Sequence, residues 1–341
     1  MIDTEFERQR LPIDGSFTIS RGSKTAVETV VVRVRDEAGQ TGVGAAAPDP
    51  HYGETADTVC AVLSDLLDVV ETVDDPLALD RIERGLAGVV RDNPAARAAV
   101  SVACHDLATR RLGVPLYRYL GLDANRAPPT SYTVPIDDPA AMSETAADAV
   151  DAGYEVLKVK LGTERDRQLV EAVRDAAPDA TVRVDANEAW TPAEAIRKSE
   201  WLADYGVEFV EQPVPAEDHA GLKRVTERSA LPIAADESCV TLPDVARVAD
   251  RADIVNLKLM KCGGVREAVR MVHAARAHGL EVMLGCMVES TASIAAACHL
   301  APLVDYADLD GALLLAEDPY DGPSYAGGTL TLPERPGTGV R

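Results

Sequence analysis

The sequence predicts an α/β chain built as a (β/α)7β TIM-like barrel, with an N-terminal α+β capping unit that the C-terminal tail completes. Three observations predict it. From about residue 130, short β-rich runs alternate with amphipathic helical stretches, a rhythm that implies parallel βαβ units. The runs number eight, which implies a closed ring rather than an open sheet. Polar residues also recur at the run ends with the period of the repeat: 25 positions from Lys160 to Asp185, 26 to Glu211, 25 to Asp236, 22 to Lys258 and 50 to Asp308.

In chain order, residues 1–125 read as the capping unit. Within it, "ETVVVRVRD", the turn "EAGQ" and "TGVGAAAP" predict an antiparallel hairpin. "GETADTVCAVLSDLLDVV" and "PAARAAVSVACHDLATRRLG" carry helical spacing, the second with Pro94 near its start and Gly113 at its end. "GLDANRAPPTS" reads as a linker. The barrel then occupies 126–312, its strands carried by "SYTVPI", "EVLKVKL", "TVRVDAN", "VEFVEQP", "LPIAADES", "ADIVNLKLMK", "LEVMLGCMVES" and "VDYADLD". After the eighth strand no segment is long enough for another unit, so seven barrel helices are expected. Residues 313–341 are expected to fold back onto the capping unit.

Composition excludes several classes of function. A formal net charge of −22 argues against nucleic acid and anionic membrane surfaces, which both demand clustered Lys and Arg. A charge this large is self-repulsive at low salt and suits a salty cytoplasm. The polar start "MIDTEFERQR" has no apolar leader region, and no apolar stretch approaches the roughly 20 residues of a membrane span. A soluble cytoplasmic protein is expected. Six scattered cysteines without a C-x-x-C suggest reduced core thiols, and the six histidines show no ligand spacing.

The lysines are more telling. Only seven occur, against 27 arginines, and four of them stand in "KVK" and "KLMK". Lys158 and Lys160 lie two apart on a strand, so their ammonium groups leave the same face. A solvated pair on an open sheet face is the plain alternative, because buried like charges repel and lose hydration. The period places Lys160, Asp185, Glu211, Asp236, Lys258 and Asp308 on the C-terminal ends of the strands, where barrel active sites are built. One carboxylate there would ordinarily be a helix cap or turn former. Asp185, Glu211 and Asp236 in register are expected to converge within a few ångströms, and hard oxygen ligands of that kind favour Mg²⁺. Lys160 and Lys258 then face each other across the metal. A carboxylate substrate bound between them would lose an α-proton to one lysine and regain it from the other, the enediolate being stabilised by the cation. Lys158 and the metal charge are expected to lower the pKa of the base. Asn187, Gln212 and Glu237, each beside a ligand, are expected to support the site.

These residues together resemble the enolase superfamily, over essentially the whole chain. "KVK", "VDAN", "EQP", "ADES" and "KLMKCGG" look like its muconate-lactonizing subgroup, whose acid/base groups are lysines on strands two and six. The resemblance implies a Lys or His base working with Mg²⁺, the pattern by which this superfamily tunes its proton transfers; here strand seven, "MLGCMVES", has no His. On strand eight, "YADLDGALLLAEDP" resembles the dipeptide epimerases. The resemblance implies that Asp308 and Asp310 grip the ammonium of a dipeptide's N-terminal residue, and that Thr133, Cys286 and Met287 line the substrate pocket. It also implies a loop, "RGSKTAVE", that closes over the substrate and reads its C-terminal side chain. Arg21 and Lys24 are the candidates there, while Glu28 stands near where an acid-reading Arg would align, leaving neutral or basic dipeptides open. The expected activity is Mg²⁺-dependent dipeptide epimerisation by 1,1-proton transfer. A cycloisomerase, an o-succinylbenzoate synthase, an N-acylamino acid racemase and a non-catalytic binding barrel are the alternatives. Homo-oligomer assembly is left open.

Overall fold

The run from Val27 to Val34 is rich in β-branched residues, and the backbone there is extended, with both faces buried from Thr29 to Val32. In the computed structural model, which describes residues 1–341, this run lies in β2 (Gly22–Arg35). It pairs antiparallel with β3 (Thr41–Ala46) through the expected turn, where Asp36 Oδ1 accepts from the backbone N–H of Ala38 and Gln40 at 3.0 and 2.9 Å. The other edge of β2 is covered by β1 (Asp3–Ile19), a 17-residue antiparallel strand that the sequence pattern does not predict. Its charged alternation reads as surface, and most of its side chains are indeed exposed or half-buried.

Three helices cover this sheet: α1 (Ala56–Val73), α2 (Leu79–Val89) and α3 (Pro94–Leu112). Of these, only α2 is absent from the sequence expectations. The core helix is α3, buried on nearly every side, beginning with Pro94 at its first turn and ending at Gly113 in the left-handed conformation (φ 71°). Small residues let it lie directly on β3. A Cβ at Gly42 would come within 2.1 Å of the Ala103 carbonyl oxygen, and one at Gly44 within 2.3 Å of that of Ala99, so both positions exclude any side chain.

Glu54, 2% exposed, caps the start of α3 by accepting from the Ala95 N–H at 3.1 Å. Burial pushes its carboxyl up from 4.5 to about 7, against the opposing hydrogen bond from Ala95. A carboxyl that holds its proton more tightly when folded favours the folded state most below its unfolded pKa. That advantage is lost as pH rises from about 4.5 to about 7. Glu54→Gln is therefore expected to gain on the order of 3 kcal/mol relative to wild type between pH 4.5 and 8. Urea denaturation of both proteins across that range checks this, and parallel profiles would refute it.

The second sheet has eight parallel strands hydrogen-bonded in chain order: β4 (Tyr132–Val134), β5 (Val156–Lys160), β6 (Thr181–Asp185), β7 (Val207–Glu211), β8 (Ile233–Ala235), β9 (Ile254–Leu257), β10 (Glu281–Gly285) and β11 (Tyr306–Asp308). A bridge between Thr130 and Ala307 closes the ring, with Ser131 N–H donating to the Ala307 carbonyl at 3.1 Å. Seven helices connect the strands, over Pro139–Asp151, Asp166–Ala176, Pro192–Asp204, His219–Thr226, Leu242–Val248, Val265–Ala277 and Thr291–Leu300. The helices that follow Asp185, Glu211 and Asp236 have Thr191, Asp218 and Thr241 at their N-caps. Capping is thus done by residues other than Asp185, Glu211 and Asp236, which removes the plain explanation for that trio. One run departs from expectation: "ADIVNLKLMK" leaves the strand after Leu257, and Leu259–Cys262 forms a helical turn ended by Gly263 at φ 90°.

Phe209, Ala234, Ile254 and Met283 fill the lumen, and the Arg183 guanidinium stacks between the Phe209 and Tyr306 rings at 5.2 and 5.0 Å. The barrel is therefore plugged below the strand ends, leaving chemistry to the upper mouth. Past β11, β12 (Ser324–Ala326) and β13 (Thr329–Thr331) form a short hairpin. The tail then returns to the cap. Asp106 Oδ1 accepts from Thr338 N–H at 2.7 Å, and Arg110 donates to the Val340 carbonyl at 2.7 Å.

Candidate active site

Parallel register brings the strand ends level: Lys160 pairs with Asp185, Asp185 with Glu211, and Gly285 with Asp308. In the eight-strand ring β5 and β9 stand four strands apart, so Lys160 and Lys258 rise from opposite sides of the mouth. The predicted carboxylates Asp185, Glu211 and Asp236 are fully buried between them. Charges so deep must be compensated, and lysines do this. Lys160 Nζ lies 2.7 Å from Asp185 Oδ2, Lys258 Nζ lies 2.7 Å from Asp236 Oδ2, and Lys158 Nζ lies 2.7, 2.7 and 3.2 Å from Glu211, Asp308 and Asp185.

These pairs set the electrostatics. Burial pushes Asp185 up, but Lys160 and then Lys158 overcome it and hold the carboxyl at about 2. Burial and the neighbouring Asp185 push Glu211 up to about 7. Asp236 is held well below its ordinary value, because Lys258 and Lys261 outweigh burial. Burial lowers the pKa of Lys258, yet Asp236 raises it more, and the net shift is upward. For Lys158 burial acts downward, and Asp308, Glu211 and Asp185 reverse it. For both Lys158 and Lys258, a carboxylate within 3 Å favours the protonated amine.

Expected to converge within a few ångströms, the trio is held more openly, with ammonium groups among its carboxylates. A tighter set stands beside it: His51, Glu188 and Glu237 bring one ligand atom each within 4.8 Å of one another. No spacing in the sequence predicts that grouping, because His51 follows β3 and meets the barrel residues only through folding. The Arg21 guanidinium offsets part of its negative charge, 2.7 Å from Glu237 Oε1 and 3.0 Å from Glu188 Oε2.

The strand-end trio suits a hard cation. Four of the eight buried side-chain polar atoms without a hydrogen-bond partner are oxygens at this mouth: Asn187 Oδ1, Glu211 Oε2, Glu237 Oε2 and Asn256 Oδ1. Glu211 Oε2 has the Lys158 charge nearby but no aligned donor. Three of the five non-glycine residues with positive φ also lie here: Asn187 at 41°, Glu188 at 70° and Gln212 at 34°. Such backbone strain persists where surrounding structure enforces it. Gln212 Oε1 accepts from the N–H groups of Asp236 and Ser238 at 2.9 and 3.1 Å, and so fixes the backbone beside a carboxylate of the trio. Asn187 holds Asp185 through its backbone N–H at 2.9 Å, whereas Glu237 turns to Arg21.

Asp308 and Asp310 are buried side by side at the rim. Asp308 accepts from Ser131 Oγ at 2.5 Å and from Lys158; Asp310 accepts from the Thr133 N–H at 2.6 Å. Burial raises Asp308, but Lys158 brings it down overall, while burial and Asp308 push Asp310 up to about 7. A cation brought to this pair would relieve the repulsion between them. One cavity joins these groups to Thr133, Cys286, Met287, Arg21 and Lys24, so all the predicted pocket residues meet in one place. Lys24 pairs with Asp49 at 2.6 Å. Three further residues of the site carry no role in the sequence expectations: Ser131, Asn256, which donates to Glu211 Oε1 at 2.7 Å, and Lys261. Lys261 donates to Asp236 Oδ1 and to the carbonyls of Asp236, Cys239 and Asn256 at 2.5 to 3.0 Å. Its signal is present in "KLMK", but nothing in that spacing separates the lysine facing the cavity from the one locked behind it.

Residues 1–121 match the Mandelate racemase / muconate lactonizing enzyme, N-terminal domain, and residues 141–341 match the Enolase C-terminal domain-like family. The L-Ala-D/L-Glu epimerase of Bacteroides thetaiotaomicron is 38% identical over 95% of this chain and 84% of that protein. A dipeptide epimerase from Enterococcus faecalis, in complex with Mg and L-Leu-L-Tyr, superposes with a TM-score of 0.92 at 34% identity, covering 99% of this chain and 98% of that one. The substrate-liganded L-Ala-D/L-Glu epimerase of Bacillus subtilis gives 0.94 at 31% identity, covering 100% and 98%.

Proposed function

The chain belongs to the mandelate racemase/muconate lactonizing enzyme family of the enolase superfamily, and from that membership we propose that it is a Mg²⁺-dependent dipeptide epimerase with Lys160 and Lys258 as its acid/base pair. The observation that carries this reading is the opposition of two lysines across a ring whose mouth holds three fully buried carboxylates. Asp185, Glu211 and Asp236 would hold the cation. Bound Mg²⁺ supplies a Lewis acid for the substrate carboxylate and takes up carboxylate charge that the lysines otherwise neutralise. Apart from Asp236, burial and the nearby Lys158 act to lower the pKa of Lys258, against Glu211 and Glu237, which raise it.

The chain's own residues do the rest. Asp308 and Asp310 anchor the ammonium of the N-terminal residue, a charge-assisted contact that fixes the α-carbon of the next residue between the lysines. Lys160 removes or returns the proton on one face and Lys258 on the other, so the carbon inverts. Thr133 orients Asp310 through its backbone, and Cys286 and Met287 form the wall. Arg21, from the turn between β1 and β2, and Lys24, near the start of β2, close the cap over the cavity. Residues 1–125 would act as the lid, 126–312 as the catalytic barrel and 313–341 as the strap between them. The test is incubation with a dipeptide library in D₂O. One α-deuterium per molecule and a mixture of epimers from either starting isomer are expected, and binding without exchange would refute the reading.

The acidic surface is part of the same reading: a cytoplasmic protein adapted to high ionic strength, without nucleic-acid or membrane partners. No helix is long and apolar enough to cross a membrane. With a net charge of −22, screening should relieve self-repulsion. The melting temperature is expected to rise across a potassium chloride series, and a maximum in dilute buffer would contradict this.

A further inference from the structure

We infer that the epimerised residue carries an uncharged, apolar side chain, received by a pocket that the cap places over the reacting carbon. The inference rests on the epimerase reading above. An α-carbon between Lys160 and Lys258 has its hydrogen on one lysine's side, its carboxylate toward the buried carboxylates and its nitrogen toward Asp308 and Asp310. A tetrahedral centre leaves one direction, toward the cap. There the cavity is lined by Phe17, Ile19, Val27, Pro48 and Leu314, with Met287 from the barrel. All six are partly buried, so they form a wall rather than a solvated rim.

Four charged residues share this lining, and each has a partner. Lys24 Nζ is 2.6 Å from Asp49, and Glu28 is 2.8 Å from Arg8. Arg21 is shared by Glu237 and Glu188. The Lys24 pair is neutral, whereas Arg8, shared by Glu28 and Asp57, and Arg21, shared by Glu237 and Glu188, each sit in a group of net −1. A substrate carboxylate entering here meets Asp49 beside Lys24 and two glutamates beside Arg21. A substrate ammonium meets Lys24 and Arg21. Either would be desolvated against apolar walls without a free counter-charge. An aliphatic or aromatic side chain removes apolar surface from water at no such cost.

The test compares kcat/KM for L-Ala-L-Leu, L-Ala-L-Glu and L-Ala-L-Lys by α-deuterium incorporation in D₂O. L-Ala-L-Leu is expected to lead both by about a hundredfold. A charged dipeptide that equals or exceeds it overturns the inference and leaves the epimerase reading standing. Absence of exchange with every member of the wider library overturns that reading and this inference with it. Ile19→Arg supplies an unpaired cation at the wall. It is expected to lower the Leu-to-Glu ratio of kcat/KM at least tenfold, mainly through KM, and an unchanged ratio in both Ile19→Arg and Val27→Arg would place the side chain elsewhere.

Discussion

Lys258→Met is expected to exchange the α-proton of one epimer with solvent while failing to convert it into the other. Lys160 still serves its own face, so the isomer that presents hydrogen to that lysine is deprotonated and reprotonated without inversion. Lys160→Met should show the mirror-image result, exchange of the opposite epimer alone. Epimerisation should fall by about 10²- to 10⁴-fold in each, the usual contribution of a positioned acid or base. Following deuterium by mass and configuration by chiral chromatography checks both halves. If either single variant exchanges both epimers, one lysine is serving both faces and the opposed-pair mechanism is wrong.

Asp236→Ala should abolish turnover and also weaken the fold. The carboxylate meets Lys258 on one oxygen and Lys261 on the other, at 2.7 and 2.5 Å. Lys261 is 1% exposed and has no route to water. Removing its charged partner leaves a buried ammonium on backbone carbonyls, a change that costs about 3–5 kcal/mol in comparable buried pairs. The same substitution removes a cation-binding oxygen. Mg²⁺ should raise the melting temperature of wild type and leave that of the variant unmoved. Magnesium-dependent activity in Asp236→Ala would remove this residue from the proposed ligand set.

Much of this architecture is legible because the barrel writes its period into the chain. Steps of 22 to 26 residues place Lys160, Asp185, Glu211, Asp236 and Lys258 on one rim without any knowledge of helix packing. Asp308 follows two such steps later, and Asp310 stands at the rim just past the end of β11, where the chain turns into Gly311–Leu314. What escapes is non-local or featureless. β1 is half polar and takes its conformation from pairing along β2, so its own pattern gives no strong strand signal. His51 meets Glu188 and Glu237 across 137 and 186 residues, a relation no local spacing can express. The fate of the two lysines in "KLMK" depends on where β9 ends. Once the chain turns helical after Lys258, Lys261 swings behind Asp236 rather than into the cavity. Lys158, expected as an electrostatic influence on its neighbour, is the most heavily paired amine at the rim.

The mouth of the barrel sets four ammonium groups, those of Lys158, Lys160, Lys258 and Lys261, among its acids and away from solvent. The large surplus of negative charge lies instead on the outer shell. Dissolved ions reach that shell and scarcely touch interactions sealed inside it. Ionic strength should therefore govern how long a molecule endures far more than how fast it works, so that the two properties can drift independently as the exterior is rewritten.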